Sequence, residues 1–452
     1  MDKILRQAAK GVFVLVILMW AFTPTLTYAR TVNVKGLDTY VKKTMKQWQV
    51  PGLAVALVKG DKVVYMKGYG VREIGKQQRV DENTVFPIGS ASKAFTSTSI
   101  GLLVQGGKLS VSRVDSSMGQ RVQAALDAAV AEYNVPGAVL ALGDMNGNTR
   151  IWTSGLAELE TKKPISKDLY FMIGSTTKSY TATMVLQLVD DGLIKLDDPI
   201  GKYLPGLVPR ENKITIRHLL EMRSGLGAYG PNPEFVKFME PDPLGACKPE
   251  VLVKFSLVNT IEPDREFHYT NVNYILLGML IEKVTNNSLS NEMKRRILQP
   301  LGMSHTFMLT ELKMPTPYAH GYLFEEGKVV DATYLIHPSL YWTAGGIVST
   351  AADQLIWAKA LVEGRLLSPQ AHSEQFNMKP AAGMLSFYGF GVMNMNGLIG
   401  HGGNVNNMYT SFVGRYHGYD VAILVNGQAG DSEEKTFRAK AVLEKVIKET
   451  GL

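Results

Sequence analysis

Gly174-Ser175-Thr176-Thr177-Lys178-Ser179-Tyr180 sets a hydroxyl and an amine three residues apart, at the point where an apolar helical pattern begins. Residues three apart on a helix share a face, so Ser175 and Lys178 are expected side by side. An alcohol is a poor nucleophile near neutral pH and needs a base within hydrogen-bond reach. A lysine can serve once desolvation or a nearby cation lowers its pKa. The pair therefore points to chemistry through an acyl-enzyme on a serine. Spacing alone does not decide this, because Ser-x-x-Lys also occurs at Ser90/Lys93 and Ser432/Lys435. The last pair lies in the charged run Asp431-Ser432-Glu433-Glu434-Lys435, which reads as an exposed helix start.

Working outward from this stretch reveals a partial repeat. Val50-Pro51-Gly52 returns as Val135-Pro136-Gly137, and Gly89-Ser90-x-x-Lys93 returns as Gly174-Ser175-x-x-Lys178. The same register aligns Gly70 with Gly155, Glu73 with Glu158, Phe86 with Phe171, and Thr96 with Thr181. Each copy reads as an amphipathic helix (Leu37–Trp48; Val122–Tyr133), a Pro-Gly entry into two strands, and a helix carrying Ser and Lys. In the first copy the strands are Ala54–Val58 and Val63–Tyr69, joined by the turn Lys59-Gly60-Asp61-Lys62. Asp144-Met145-Asn146-Gly147-Asn148 supplies the matching turn in the second. The first copy stops after Ser110.

The second copy continues. Ile216–Met222 reads as a helix, Gly227–Pro249 as a Pro- and Gly-rich excursion, Val272–Val284 and Ala351–Val362 as helices. Tyr409–Tyr416 and Val421–Asn426 flank a hairpin signal at His417-Gly418, and Glu433–Lys448 is a closing amphipathic helix. Two early strands, several late strands and helices between them predict an α/β (α+β) sandwich. Its mixed antiparallel sheet is assembled from both chain ends, flanked by helices, with an all-helical region added. The expected division is a signal peptide over residues 1–29, a truncated segment over 30–119 and a complete domain over 120–452.

Acyl transfer from a Ser/Lys pair needs a second proton-transfer group and donors for the developing oxyanion. Tyr269-Thr270-Asn271, immediately before an apolar helix, offers a phenol that can relay protons if Lys178 lowers its pKa. Asn271 offers an amide for Lys178 or for a substrate carbonyl. Gly400-His401-Gly402-Gly403-Asn404 permits close approach of backbone to a ligand, so the N–H of Asn404 can face the N–H of Ser175 across a carbonyl oxygen. His401 would add a polar or cationic group. Each stretch taken alone also reads as simple packing or a bend. His218, His305, His320 and His337 lack metal-ligand spacing, so no metal and no cofactor are expected.

With 45% hydrophobic and 20% charged residues, the composition is that of an ordinary globular protein. The net charge of +7 comes without a dense Lys/Arg run, which argues against nucleic-acid binding. Lys3, Arg6 and Lys10 precede an apolar run from Gly11 to Phe22 and then Thr27-Tyr28-Ala29, a secretory signal pattern. The expected location is secreted or periplasmic, with transient membrane association if the signal stays uncleaved. The lone cysteine, Cys247, can form no internal disulfide and reads as a packed or idle thiol.

The ordered set Ser175-x-x-Lys178, Tyr269-x-Asn271 and His401-x-Gly403 resembles the serine β-lactamase and penicillin-binding protein superfamily, in its class C β-lactamase and D-alanyl-D-alanine carboxypeptidase branch. Ile214–Leu220, Tyr274–Gly278 and Ala344-Gly345-Gly346 look like the same branch, over about residues 120–452. The resemblance implies Ser175 as nucleophile, Lys178 as base and Tyr269 as proton shuttle and activator of water. It implies that Asn271, His401 and Gly403 serve the substrate side, with an oxyanion hole from the N–H groups of Ser175 and Asn404. The implied substrate is a peptide or small-molecule acyl compound, a cell-wall peptide or a β-lactam. The implied activity is D-alanyl-D-alanine carboxypeptidase-like, with an esterase or weak β-lactamase, or a non-catalytic penicillin-recognising protein, as alternatives. Three departures stand out. The third motif is His-Gly-Gly where class C enzymes have Lys-Thr-Gly, Asn407-Met408 replaces Gly-Phe, and the first copy lacks its own second and third motifs.

Overall fold

Both Pro-Gly entries open hairpins that share their register over the first six pairs in the computed structural model, which describes residues 34–452 except 35, 107, 109–115, 326–327, 382–386 and 429–437. The signal pattern over residues 1–29, the Ser432/Lys435 pair and the first residues of the expected closing helix lie outside the described residues. The chain divides into two units, split between Ser112 and Arg113.

In the first unit, helix α1 (Leu37–Gln47) precedes strands β1 (Gly52–Lys59) and β2 (Lys62–Gly70), which pair antiparallel, followed by helix α2 (Ser92–Gln105). Its core is small: Val41, Met45 and Tyr69 are buried, with Leu37, Val50, Leu53 and Val55 against them. Every described side chain of α2 is exposed, including Phe95 and Leu102.

The second unit opens with helix α3 (Ser116–Glu132), which starts six residues before the expected Val122. Strands β3 (Gly137–Gly143) and β4 (Thr149–Glu158) follow, then helix α4 (Thr177–Asp190), helix α5 (Val272–Thr285) and helix α6 (Ala351–Glu363). Strands β5 (Leu398–Val405), β6 (Tyr409–Tyr416) and β7 (Tyr419–Val425) and helix α7 (Arg438–Thr450) complete it. Among the described residues the main sheet has nine strands, and its centre runs β5-β6-β7-β3-β4, all neighbours antiparallel. The late strands meet the early ones where β7 pairs with β3, Val421 opposite Leu142 and Ile423 opposite Leu140. The sheet is thus assembled from both ends of the unit, as the strand pattern predicts.

All of β3 and six of the seven residues of β7 are buried. Strands without an exposed alternate position are covered on both faces. Helices α3 and α7 pack together and onto β3, β4, β6 and β7, while α6 packs onto β3, β5, β6 and β7. The Pro- and Gly-rich excursion is not wholly irregular. Asn232 caps a short helix, Pro233–Met239, by accepting from the Glu234 N–H at 3.0 Å, with Pro233 at its first position. An Asn-Pro helix start was visible there, outweighed by the surrounding glycines and prolines.

Candidate active site

Ser175 stands in a single 3-10 turn, Gly174–Thr176, that leads directly into α4. Gly174 has φ +54°, and a Cβ there would meet the Asn404 backbone nitrogen at 2.8 Å, so the turn and β5 are in close approach. Gly403 answers from the other side, where a Cβ would fall 1.8 Å from the Ile173 carbonyl oxygen. Polar side chains fasten the turn. The Thr176 and Ser411 hydroxyls are 2.9 Å apart, and the Ser411 hydroxyl donates to the Ile173 carbonyl at 2.8 Å. Thr181 donates to the Thr343 carbonyl at 2.8 Å, and Tyr180 stacks on Trp357 with ring centroids 4.0 Å apart. The threonines that make α4 look weakly helical are therefore buried fasteners.

Lys178 is completely buried. Its Nζ lies 2.9 Å from Ser175 Oγ, 2.8 Å from Asn271 Oδ1 and 2.8 Å from the Ala344 carbonyl oxygen. Burial without a carboxylate partner pushes its pKa well below the usual lysine range. The rings of Tyr269 and Tyr274, 4.9 and 5.8 Å from Nζ, favour the cation, but they do not replace lost hydration. Burial favours the neutral amine, and the three contacts accommodate it. Its two N–H groups go to Asn271 Oδ1 and the Ala344 oxygen, which can only accept, and its lone pair faces the Ser175 hydroxyl. The contact between Ser175 and Lys178 expected from the Ser-x-x-Lys spacing is present.

Asn271 occupies the position before the first residue of α5, and Thr270 beside it donates to the Gly227 carbonyl at 2.8 Å. Tyr269 hydrogen-bonds Ser175, which partly offsets the effect of burial, but burial dominates and raises the phenol well above its ordinary pKa. The condition for a phenolate relay, a pKa lowered by Lys178, is therefore not met, and Tyr269 is held as the neutral phenol. His401 takes the polar rather than the cationic of its two expected forms. It is fully buried, and burial together with the nearby Lys178 lowers its pKa to about 3, so it adds no positive charge. Its Nδ1 is 2.6 Å from the Gly402 carbonyl oxygen, which fixes the proton on Nδ1 and leaves Nε2 to accept from the Tyr388 hydroxyl at 3.4 Å.

Tyr388 went unnoticed in the sequence. It is buried and set edge-on to both Tyr269 (5.9 Å, 90°) and His401 (5.9 Å, 84°), linking the second and third motif stretches. The Ala344 carbonyl was also missed as a ligand of Lys178, although Ala344-Gly345-Gly346 stood out as family-like text.

Ser175, Tyr269, Asn271 and Asn404 open onto one cavity of about 1080 Å³. Its walls include Tyr229, Phe235, Met239, Leu340 and Tyr341, several of them from the excursion after Gly227. Asn406 and Asn407 form one edge, where Tyr341 hydrogen-bonds Asn406. Among the described residues the lining has one carboxylate, Glu240, and no Lys, Arg or His. Cys247 is buried and free, its thiol pushed up by burial.

A family model described as Beta-lactamase matches residues 37–114 and 122–445, covering both copies. Curated relatives include a penicillin-binding protein 4 of Amycolatopsis lactamdurans (28% identical, 52% of this chain, 62% of the relative) and a beta-lactamase of Escherichia coli K12 (27%, 51% and 58%). The chain spans about half to two thirds of the length of such relatives. Among solved structures, D-amino acid amidase from Ochrobactrum anthropi SV3 with bound L-phenylalanine aligns with a TM-score of 0.67 at 29% identity, over 73% of this chain and 98% of the other. D-stereospecific amidohydrolase from Streptomyces gives 0.63 at 31%, over 73% and 97%.

Proposed function

Since the chain belongs to the Beta-lactamase family, we propose that it is a serine hydrolase that cleaves an amide of a D-configured amino acid or peptide through an acyl-enzyme on Ser175. The observation that carries this reading is the buried Lys178 amine held between Ser175 Oγ, Asn271 Oδ1 and the Ala344 oxygen. Neutral Lys178 takes the Ser175 proton as Oγ attacks the carbonyl carbon. The N–H groups of Ser175 and Asn404 receive the developing oxyanion, and the neutral Tyr269 phenol protonates the departing nitrogen. The same groups, run in reverse roles, activate water to release the acyl group.

Two substrate classes share this machinery. The motif resemblance implies a carboxypeptidase acting on D-alanyl-D-alanine ends of cell-wall peptides, in keeping with the export pattern at the N-terminus. The cavity favours a different leaving group. A C-terminal carboxylate needs a cation to replace its hydration, and the described lining offers none, whereas its aromatic and Met walls suit an apolar D-amino-acyl side chain. We therefore place an uncharged leaving group, a simple amide or ester, ahead of a terminal D-alanine. No described helix is long and apolar enough to cross a membrane.

The test is a panel of D-phenylalaninamide, L-phenylalaninamide, a D-Ala-D-Ala peptide, a chromogenic cephalosporin and a short-chain ester, with wild type and Ser175→Ala. D-phenylalaninamide should turn over fastest among the amides and peptides, and Ser175→Ala should be inactive on all of them. Faster release of D-alanine would restore the carboxypeptidase reading, and activity that survives Ser175→Ala would overturn the site.

A further inference from the structure

A second cavity, of about 540 Å³, shares no lining residue with the catalytic one. It lies between the helical stretch Leu289–Leu301 and the short strand Phe307–Met308. Its walls are Met293, Leu298, Met303 and Met308, all buried, with Phe307 beside them. Such a volume falls within the roughly 300–1,000 Å³ of small-molecule sites. Methionine walls are unbranched, polarisable and adaptable, which suits a flexible chain better than a rigid ring.

The rim of this cavity has a specific electrical character. Lys294, Arg295 and Arg296 are consecutive, but their fates differ. Arg295 and Arg296 each bind Glu292 at 2.7 Å, and Arg296 also reaches Asp191 at 2.8 Å. Lys294 makes no ion pair among the described residues and is the one charged residue of the lining. Helical spacing explains the separation: Arg295 and Arg296 stand three and four residues after Glu292, whereas Lys294, two residues on, does not share that face. Lys294–Leu298 is a single stretch of π-helix, a rare form frequently found at functional sites. The turn begins at Lys294 and ends at Leu298, and both face the same cavity.

From the Met-lined interior and the exposed Lys294 at its mouth, without an ion pair among the described residues, we propose that this cavity binds a single-chain anionic amphiphile, its alkyl chain against Met293, Met303 and Met308 and its carboxylate on Lys294. The chain contributes by removing apolar surface from water. The head group supplies the counter-charge that Lys294 lacks.

The probe is sodium decanoate below its micelle concentration, titrated into the full-length protein by calorimetry. One-to-one binding is expected, and decyltrimethylammonium, with the same chain and opposite charge, should not bind. Lys294→Glu should weaken decanoate by about tenfold or more and Lys294→Arg should retain it. Met303→Trp, which fills the cavity, should abolish binding. Lys294 is exposed, so its variants test the idea even if Met303→Trp fails to fold. Equal binding of the two head-group charges, or decanoate binding unchanged in Lys294→Glu, would overturn the proposal. So would absence of decanoate binding alongside Lys294-dependent sedimentation with phosphatidylglycerol vesicles, which would make the region a membrane contact.

Discussion

The two Ser-x-x-Lys copies share most of their local backbone and differ in almost everything around it. Gly52 pairs with Gly70 as Gly137 pairs with Gly155, and the bridge Val71–Arg79 matches Leu156–Pro164. Helix α2, Ser92–Gln105, corresponds residue for residue to α4, Thr177–Asp190, each after one 3-10 turn. Even the chemical contact recurs: Lys93 Nζ is 2.7 Å from Ser90 Oγ, against 2.9 Å for Lys178 and Ser175. Yet Ser90 and Lys93 are exposed, whereas Lys178 is sealed and has two further acceptors supplied by residues 271 and 344. Local sequence makes a hairpin, a helix and a Ser–Lys contact. Burial by distant chain lowers the pKa of Lys178.

The substitutions between the copies follow the same division. Thr176, Ser179, Tyr180 and Leu186, which fasten α4 to the later chain or fill its core, are matched by Ala91, Ala94, Phe95 and Gly101. Ser90, Lys93, Thr96 and Thr98, which repeat the motif and its helix face, are kept. The first copy has the form of the active helix without the groups that anchor it.

The largest effect should come from Ser175→Ala, with acyl-enzyme formation falling by at least about a thousandfold because the nucleophile is gone. Intact-protein mass after a fluorescent penicillin or activated phosphonate reads this directly. Labelling of Ser90 in wild type would break the contrast between the copies. Lys178→Arg should be nearly as damaging, because guanidinium stays charged and cannot accept the serine proton.

The pH profile sharpens the same point. Lys178 acts when neutral and its pKa is depressed by burial, so the acylation rate should climb as pH rises through that lowered value and then level off. His401, lowered to about 3, stays neutral above that and should add no inflection near the ordinary histidine value. A His401-dependent step near pH 6.5, lost in His401→Gln, would show that its burial is misjudged.

Much of this was legible in the sequence, and the residues show why the remainder was not. The hairpins, the sheet built from both ends of the unit, and the Ser175–Lys178–Asn271 association follow from periodicity, turn chemistry and motif order. The Ala344 oxygen carries no side-chain signal, and Tyr388 lies in Phe387-Tyr388-Gly389-Phe390, which has no period to place it. The charge states of Tyr269 and His401 depend on what encloses them, which is fixed by chain more than 100 residues away in sequence from one or the other. The π-turn at Lys294 is likewise invisible to a 3.6-residue pattern.

A smaller effect tests the anchoring groups by writing the first copy into the second. Leu186 is fully buried, so Leu186→Gly should cost about 3–6 kcal/mol from the cavity and the helix glycine together. Tyr180→Phe keeps the stacking on Trp357 but loses the hydrogen bond that Gln354 Nε2 donates to its hydroxyl at 2.7 Å, a change of about 1 kcal/mol. Urea unfolding of both variants measures the order. Equal destabilisation would mean that the missing bulk of α2 is not what separates the copies.

The smallest expected effect is none. Every group assigned to the reaction comes from residues 175–404, so Ser90→Ala and Lys93→Ala should leave acylation and turnover unchanged. Removing residues 37–112 should do the same, and the structure fixes where that cut must end. The expected boundary at residue 119 would cut into α3, where Met118 packs on the core and the Gly119 carbonyl accepts from Trp152 Nε1 at 3.0 Å. A deletion to 119 should therefore lose stability while one to 112 does not, and comparing the two separates damage to the catalytic unit from any contribution of the first copy. Loss of acylation in the shorter deletion with unchanged thermal unfolding would give the first copy a part in the reaction, and the contrast between buried and exposed Ser–Lys pairs would no longer explain which one works.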